Sequence, residues 1–146
     1  MVTMVSRGVE RNSKDIYEEQ AVNVLYIDAQ LPSLNEYQYA CRSHWSKGKQ
    51  FKENTEALIG WHIKKCVADG TLHKVTKPCE VFIEWHEATA RRDVDNIQSA
   101  QKFILDALQK FNIIDNDNRK HIKQIHHTII DDVKDCVIVR LEELQK

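Results

Sequence analysis

Glycine and proline are scarce in this chain of 146 residues, four of one and two of the other. That scarcity excludes collagen-like and linker-rich architectures, which need both in quantity. Long apolar runs are missing as well. The longest are a few residues, far short of the roughly 20 that carry a helix across a bilayer, so no membrane association is expected. The opening residues MVTMVSRGVERNSKD lack the apolar stretch of a secretory signal. Cys41, Cys66, Cys79 and Cys136 are scattered with no C-x-x-C pair. That disfavours a zinc ribbon or a thioredoxin-like motif and favours free, mostly buried thiols in the cytoplasm. No glycine-rich loop stands ready to cradle phosphate, and no small-molecule cofactor is expected.

Neither charge sign dominates: 21 Lys and Arg face 22 Asp and Glu, for a net charge of -1. Any nucleic-acid footprint must therefore be local. What remains is ordinary for a globular protein, with 42% hydrophobic and 29% charged residues. The length suits one domain with a real core.

Residues 1 to about 20 carry mixed charge with little periodicity and read as a mobile arm or a short extra helix, leaving 21–146 as the domain. AVNVLYIDA (21–29) is β-branched and aromatic enough for a strand. QLPSLNEYQYACRSHWSKGKQ breaks regularity and reads as a long loop. From about Lys49 to Asp69, Phe51, Leu58, Ile59, His62, Ile63, Cys66 and Val67 recur at helical spacing, and Gly70 supplies the stop. CEVFIEWHEA alternates Cys79, Val81, Ile83 and Trp85 against Glu80, Glu84 and His86, with Phe82 the exception, which predicts a half-covered strand. A helix near Asp95–Phe111 follows. HIKQIHHTII and DCVIVRLEE, joined by a polar turn, read as an antiparallel strand pair. The order β-α-β-α-β-β predicts an α+β (two-layer α/β) fold, a small mixed sheet with two main helices.

The chemistry concentrates around RRDVDN. Asp93 and Asp95 lie two apart, and an extended chain there puts both carboxylates on one side. Like charges so placed need a cation or hydrogen bonds to compensate. Arg91 and Arg92 could supply this, and so could a hard divalent ion such as Mg²⁺ or Mn²⁺. The plain alternative is a helix cap with surface charge. Within that helix Asp95, Ser99, Lys102, Asp106 and Lys110 share one face, opposite Ile97, Ala100, Ile104, Ala107, Leu108 and Phe111. Lys102 there either meets a phosphate beside the metal or pairs with Asp106 at i,i+4. After the helix, Asp115, Asn116, Asp117 and Asn118 offer either turn chemistry or a third carboxylate. An EF-hand is excluded, because the glycine and terminal glutamate positions hold Gln98 and Ile104 counting from Asp93, and Lys120 and His126 counting from Asp115. Three carboxylates, a lysine and the nearby Arg91, Arg92, Arg119, Lys120 and Lys123 suit metal-assisted phosphodiester hydrolysis.

RRDVDN, KFILDAL and IIDNDN in that order, with LPSLNEY upstream, resemble the RusA family of Holliday-junction resolvases, especially versions carried by phages and prophages of Gram-positive bacteria. The matches run in scattered blocks from Leu31 to Asn118, and Arg91 to Asn118 is the specific part. Through the resemblance, Asp93, Asp95 and Asp117 correspond to three catalytic, metal-binding aspartates and Lys102 to an essential helix lysine. Asn96 follows the D-x-D as in the family, and Asn35 matches the asparagine of the early loop; with Arg91, Arg92, Lys47, Lys49, Arg119 and Lys120 they are expected to contact DNA. Three extra residues precede Lys102, leaving Ser99 where the shorter pattern has lysine, and Asn116 stands where an aspartate is usual. The resemblance implies a homodimer that binds four-way DNA junctions and nicks them in pairs with Mg²⁺ or Mn²⁺, in recombination and repair. A two-fold dimer offers the two identical sites that paired nicks need.

Other features weigh less. His121, His126 and His127 lack a cysteine at ligand spacing, and alternation sends His126 and His127 to opposite faces. Trp85 reads as core. Trp45, in the basic stretch with Lys47, Lys49 and Lys52, is the aromatic placed to touch DNA, against the simpler reading of a solvated loop. The other function class is a non-catalytic junction-binding protein that keeps the fold, its carboxylates serving as caps and turns.

Overall fold

The computed structural model describes residues 23–144, so the expected N-terminal arm lies outside the described residues. Four strands form one mixed sheet: β1 (Val24–Ile27), β2 (Cys79–Glu87), β3 (Ile122–Asp131) and β4 (Cys136–Glu143). Between β1 and β2 run α1 (Leu34–Ser43) and α2 (Trp45–Asp69); between β2 and β3 run α3 (Val94–Gln98) and α4 (Gln101–Lys110). The fold is α+β, and the expected order holds, with one added helix (α1) before the first expected one and the second expected helix divided into α3 and α4.

The sheet order is β1-β4-β2-β3. β2 pairs parallel with β3 and antiparallel with β4, and β4 pairs antiparallel with β1. β3 and β4 therefore do not form the hairpin their short connection suggested. β2 lies between them, and residues 132–135 step across its end. A parallel pair needs a long crossover, and the α3–α4 segment provides it.

One face of the sheet carries the helices. Cys79, Val81, Ile83 and Trp85 of β2 are all at most 1% exposed, as their alternation predicted. They join Leu25, Ile27, Val137, Val139 and Leu141 against Ile59 and Ile63 of α2 and Phe103, Ile104 and Leu108 of α4. Each such side chain contributes about 1.5–3 kcal/mol by leaving water. Phe82, the break in the alternation, sits on the other face. There it stacks on His126 at 4.2 Å between ring centres and lies under the Arg140 guanidinium at 4.3 Å, the residues opposite it on β3 and β4.

The stretch expected as a long loop is largely helical. Ser33 Oγ accepts the Glu36 N–H at 3.2 Å, and Glu36 Oε1 accepts the Ser33 N–H at 3.1 Å. This reciprocal cap satisfies two orphan donors and starts α1. His44 then caps α2, accepting the Ser46 N–H. Gly48 lets the two helices touch, since a Cβ there would lie 2.4 Å from Cys41 Sγ. Tyr37, Phe51 and Phe103 meet at centroid distances of 5.8–6.3 Å and lock α1, α2 and α4 together. Gly70 ends α2 at φ 84, the left-handed cap that glycine adopts without strain.

Candidate functional site

The residues around Asp93 are held by a seam between two segments far apart in sequence. Glu87, 5% exposed at the end of β2, takes Arg92 Nη2 at 2.8 Å and Nε at 3.3 Å, while Arg92 Nη1 donates to the Leu31 carbonyl at 2.9 Å. Ser99 Oγ accepts the Leu34 N–H at 3.0 Å and donates to the Asn96 carbonyl at 2.8 Å. Asn35 Nδ2 donates to Asn96 Oδ1 at 2.7 Å. LPSLN is thus laid along the start of RRDVDN, which brings together Asn35, Asn96 and Arg92 of the residues singled out above. Arg92 was expected at DNA. Its guanidinium is instead engaged inside the protein, where a bidentate Arg–carboxylate pair fixes geometry, and the neighbouring Arg91 is exposed.

Asp93 occupies the N-cap position of α3, with φ -73 and ψ 159, yet its side chain makes no capping bond. Asp95 lies in the first turn of the same helix. Both carboxylates are exposed, and among the described residues neither takes a side-chain hydrogen bond or ion pair. The acidic loop shows a similar division. Asp115 pairs with Lys74 at 2.7 Å, and that ammonium holds its carboxyl below the usual range. Asn116 Oδ1 accepts the Asn118 N–H at 3.0 Å, and Asn118 Oδ1 accepts the Lys120 N–H at 3.0 Å. These are turn bonds of the Asx kind. Asp117, exposed between them, is the member of the four whose side chain has no such bond among the described residues.

The three aspartates do not converge as a metal trio would. Among the described residues the one group of three ligand types with atoms all within 4.8 Å of one another lies elsewhere. Lys102 takes the second of the two places open to it, paired with Asp106 at i,i+4. The single helix predicted near Asp95–Phe111 breaks at Ser99 and Ala100. There Ala100, Lys102 and Phe103 donate to carbonyls three residues back rather than four. A tightened turn advances each residue by about 120° rather than 100°. Three tightened residues thus turn Lys102 by about 60° around the axis from the place over Asp95 that a regular helix gives. Lys102, 61% exposed, lies 3.3 Å from Asp106. The three extra residues before Lys102 coincide with this break.

Among the remaining candidates, Lys47 and Lys49 stand exposed on the first turns of α2, helical rather than in a loop, next to Trp45 at 74% exposure. Arg119 and Lys120 are exposed beside Asp117. Trp85 is core, and its indole N–H donates to His127 Nδ1 at 2.9 Å.

The group that does converge is His86, Asp132 and Cys136, which could hold a metal ion. His86 is 4% exposed, with Nδ1 2.8 Å from Asp132 Oδ2 and Nε2 3.0 Å from Glu84 Oε1. The Glu84 hydrogen bond raises the imidazole above its ordinary range; burial opposes this and Asp132 adds to it. The Val133 N–H and then His86 lower Asp132. Burial pushes the Cys136 thiol up, which argues against a free nucleophilic thiolate. Sequence reading passed over this group. His86 and Asp132 are 46 residues apart, and only the β2 pairings bring them to one end of the sheet.

Neither a protein-family model nor a curated protein matches this chain. Among the described residues no helix is long and apolar enough to cross a membrane.

Proposed function

We propose that the chain is a divalent-metal-dependent endodeoxyribonuclease of the RusA-like kind, which resolves four-way DNA junctions by paired nicks in recombination and repair. It works as a homodimer in the cytoplasm. The observation that supports this reading is which carboxylates the fold leaves unengaged. Asp115 and the two asparagines of the acidic loop are tied into local structure. Asp117 is not, and neither are Asp93 and Asp95. Within the D-x-D segment and the acidic loop, the three that the resemblance selects are the ones whose side chains make no bond among the described residues.

Exposed all-oxygen donors of this kind fit Mg²⁺ or Mn²⁺, which take one or two carboxylates with water and phosphate oxygens. When bound, such an ion supplies an activated water and neutralises charge on the phosphate. By the resemblance Asp93, Asp95 and Asp117 would hold it, which requires their carboxylates to draw closer together than they stand here. The seam through Arg92, Asn35 and Asn96 positions the first two. Lys102, released from Asp106, meets the phosphate. Arg91, Arg119, Lys120, Lys47 and Lys49 dock the junction arms through phosphates without reading sequence.

A second reading, a junction-binding protein without turnover, is favoured by two observations: the three carboxylates stand apart and Lys102 is paired with Asp106. Neighbouring aspartates discriminate. Asp117→Asn should abolish Mg²⁺-dependent nicking of a synthetic junction while Asp115→Asn keeps it. Equal effects of the two substitutions would remove Asp117 from the site.

A further inference from the structure

The buried group at the end of β2 is separate from the proposed nuclease centre. His86 and Cys136 face each other across the β2–β4 pair, and Asp132 follows the last residue of β3. The geometry points to a second metal site, in which His86 Nδ1, Cys136 Sγ and Asp132 bind a Zn²⁺-class ion and Glu84 holds the far side of the imidazole.

The donor set selects the class of ion. One nitrogen, one sulfur and one carboxylate oxygen suit borderline-soft Zn²⁺, whereas Mg²⁺ takes oxygen alone. A tetrahedral zinc site spaces its nitrogen and oxygen ligands about 3.3 Å apart, given metal–ligand bonds near 2.0–2.1 Å. Nδ1 and Asp132 Oδ2 now stand at 2.8 Å. An opening of about half an ångström therefore admits the ion, and Asp132 can provide it because its side chain is 30% exposed in a turn. Its other oxygen is held by the Val133 N–H at 2.6 Å, which leaves Oδ2 as the ligand.

The orienting group is already present. Metal-bound histidines commonly donate the second ring N–H to a carboxylate, which fixes tautomer and ring plane. Glu84 Oε1, 3.0 Å from Nε2, holds that place. On binding, the Nδ1 proton and the Cys136 thiol proton leave to solvent, the metal takes both positions, and the Nε2–H to Glu84 bond persists. Three protein ligands leave the fourth position for water or for a group of a partner molecule.

Co²⁺ replaces Zn²⁺ spectroscopically, so the test adds Co²⁺ to the full-length metal-free chain and reads the thiolate-to-cobalt charge-transfer band. The expected result is a band that saturates at one equivalent per chain and that Cys136→Ser abolishes but Cys41→Ser does not. Asp132→Asn, which keeps the side chain's size and the oxygen that accepts the Val133 N–H, should weaken binding at least tenfold. Zn²⁺ at about 100 times its dissociation constant should raise the wild-type melting temperature by roughly 5–10 °C, and Mg²⁺ at that concentration should not. A chain that shows no charge-transfer band, or one whose band and melting shift persist in Cys136→Ser and Asp132→Asn, overturns the site.

Discussion

Arg92 and Asp95 are three positions apart and do opposite work. Arg92 is 16% exposed and makes three hydrogen bonds, two of them to the buried Glu87. Removing one partner of such a pair leaves the other charge uncompensated. Arg92→Ala should therefore lose about 3–5 kcal/mol in urea unfolding, while Asp95→Asn, at an exposed position, should stay within about 0.5 kcal/mol. A stability loss of the same size in both would mean that Asp95 has a structural role. His127 supplies a pH prediction. Burial, with His126 adding to it, lowers its pKa, and its Nδ1 must be unprotonated to accept the Trp85 N–H at 2.9 Å. A base with a depressed folded pKa contributes stability fully above its unfolded value, near 6.5. That contribution is lost as pH falls toward the folded pKa, with a slope of at most about 1.4 kcal/mol per pH unit from one group. Trp85 fluorescence should follow that loss, and His127→Gln should remove this part of the pH dependence.

Elements were legible where periodicity was long and local chemistry agreed with it. Cys79–Trp85 and the stretch from Phe51 to Cys66 announce a strand and a helix, and Gly70 marks the stop where the chain turns left-handed. The helix after Pro32 was missed because Pro, Ser and Asn read as loop residues, yet Ser33 and Glu36 spell the reciprocal cap that starts it. Ser33→Ala should cost about 1 kcal/mol, read by thermal denaturation, and it should also loosen the LPSLN seam. The break at Ser99–Ala100 had no sequence mark, since both residues fit a continuous helix. The anchor it creates, Ser99 Oγ to Leu34 N–H, depends on a partner 65 residues away. Gly60 exposes another non-local requirement. A Cβ there would meet the Phe111 ring at 2.3 Å, so Gly60→Ala should destabilise by about 1–3 kcal/mol through overpacking, measured by urea midpoint.

At the scale of the whole molecule, alternation told which face of each strand is buried but not which strands pair. The turn between β3 and β4 suggested a hairpin, and the sheet instead sets β2 between them. The same placement ends β2 at Glu87, beside the D-x-D helix on one side and beside His86 and Asp132 on the other. The candidate nuclease residues were legible as a pattern of types. Their unengaged state was not, because it depends on which neighbours Lys74 and the turn amides take. Paired nicking of a four-way junction by the wild-type protein with Mg²⁺ tests the account most directly. It predicts divalent-dependent, symmetrically placed cuts that Asp95→Asn abolishes while junction binding is kept or strengthened by the loss of a negative charge near phosphate. A wild-type protein that binds the junction and leaves both strands intact in Mg²⁺ and Mn²⁺ would contradict it.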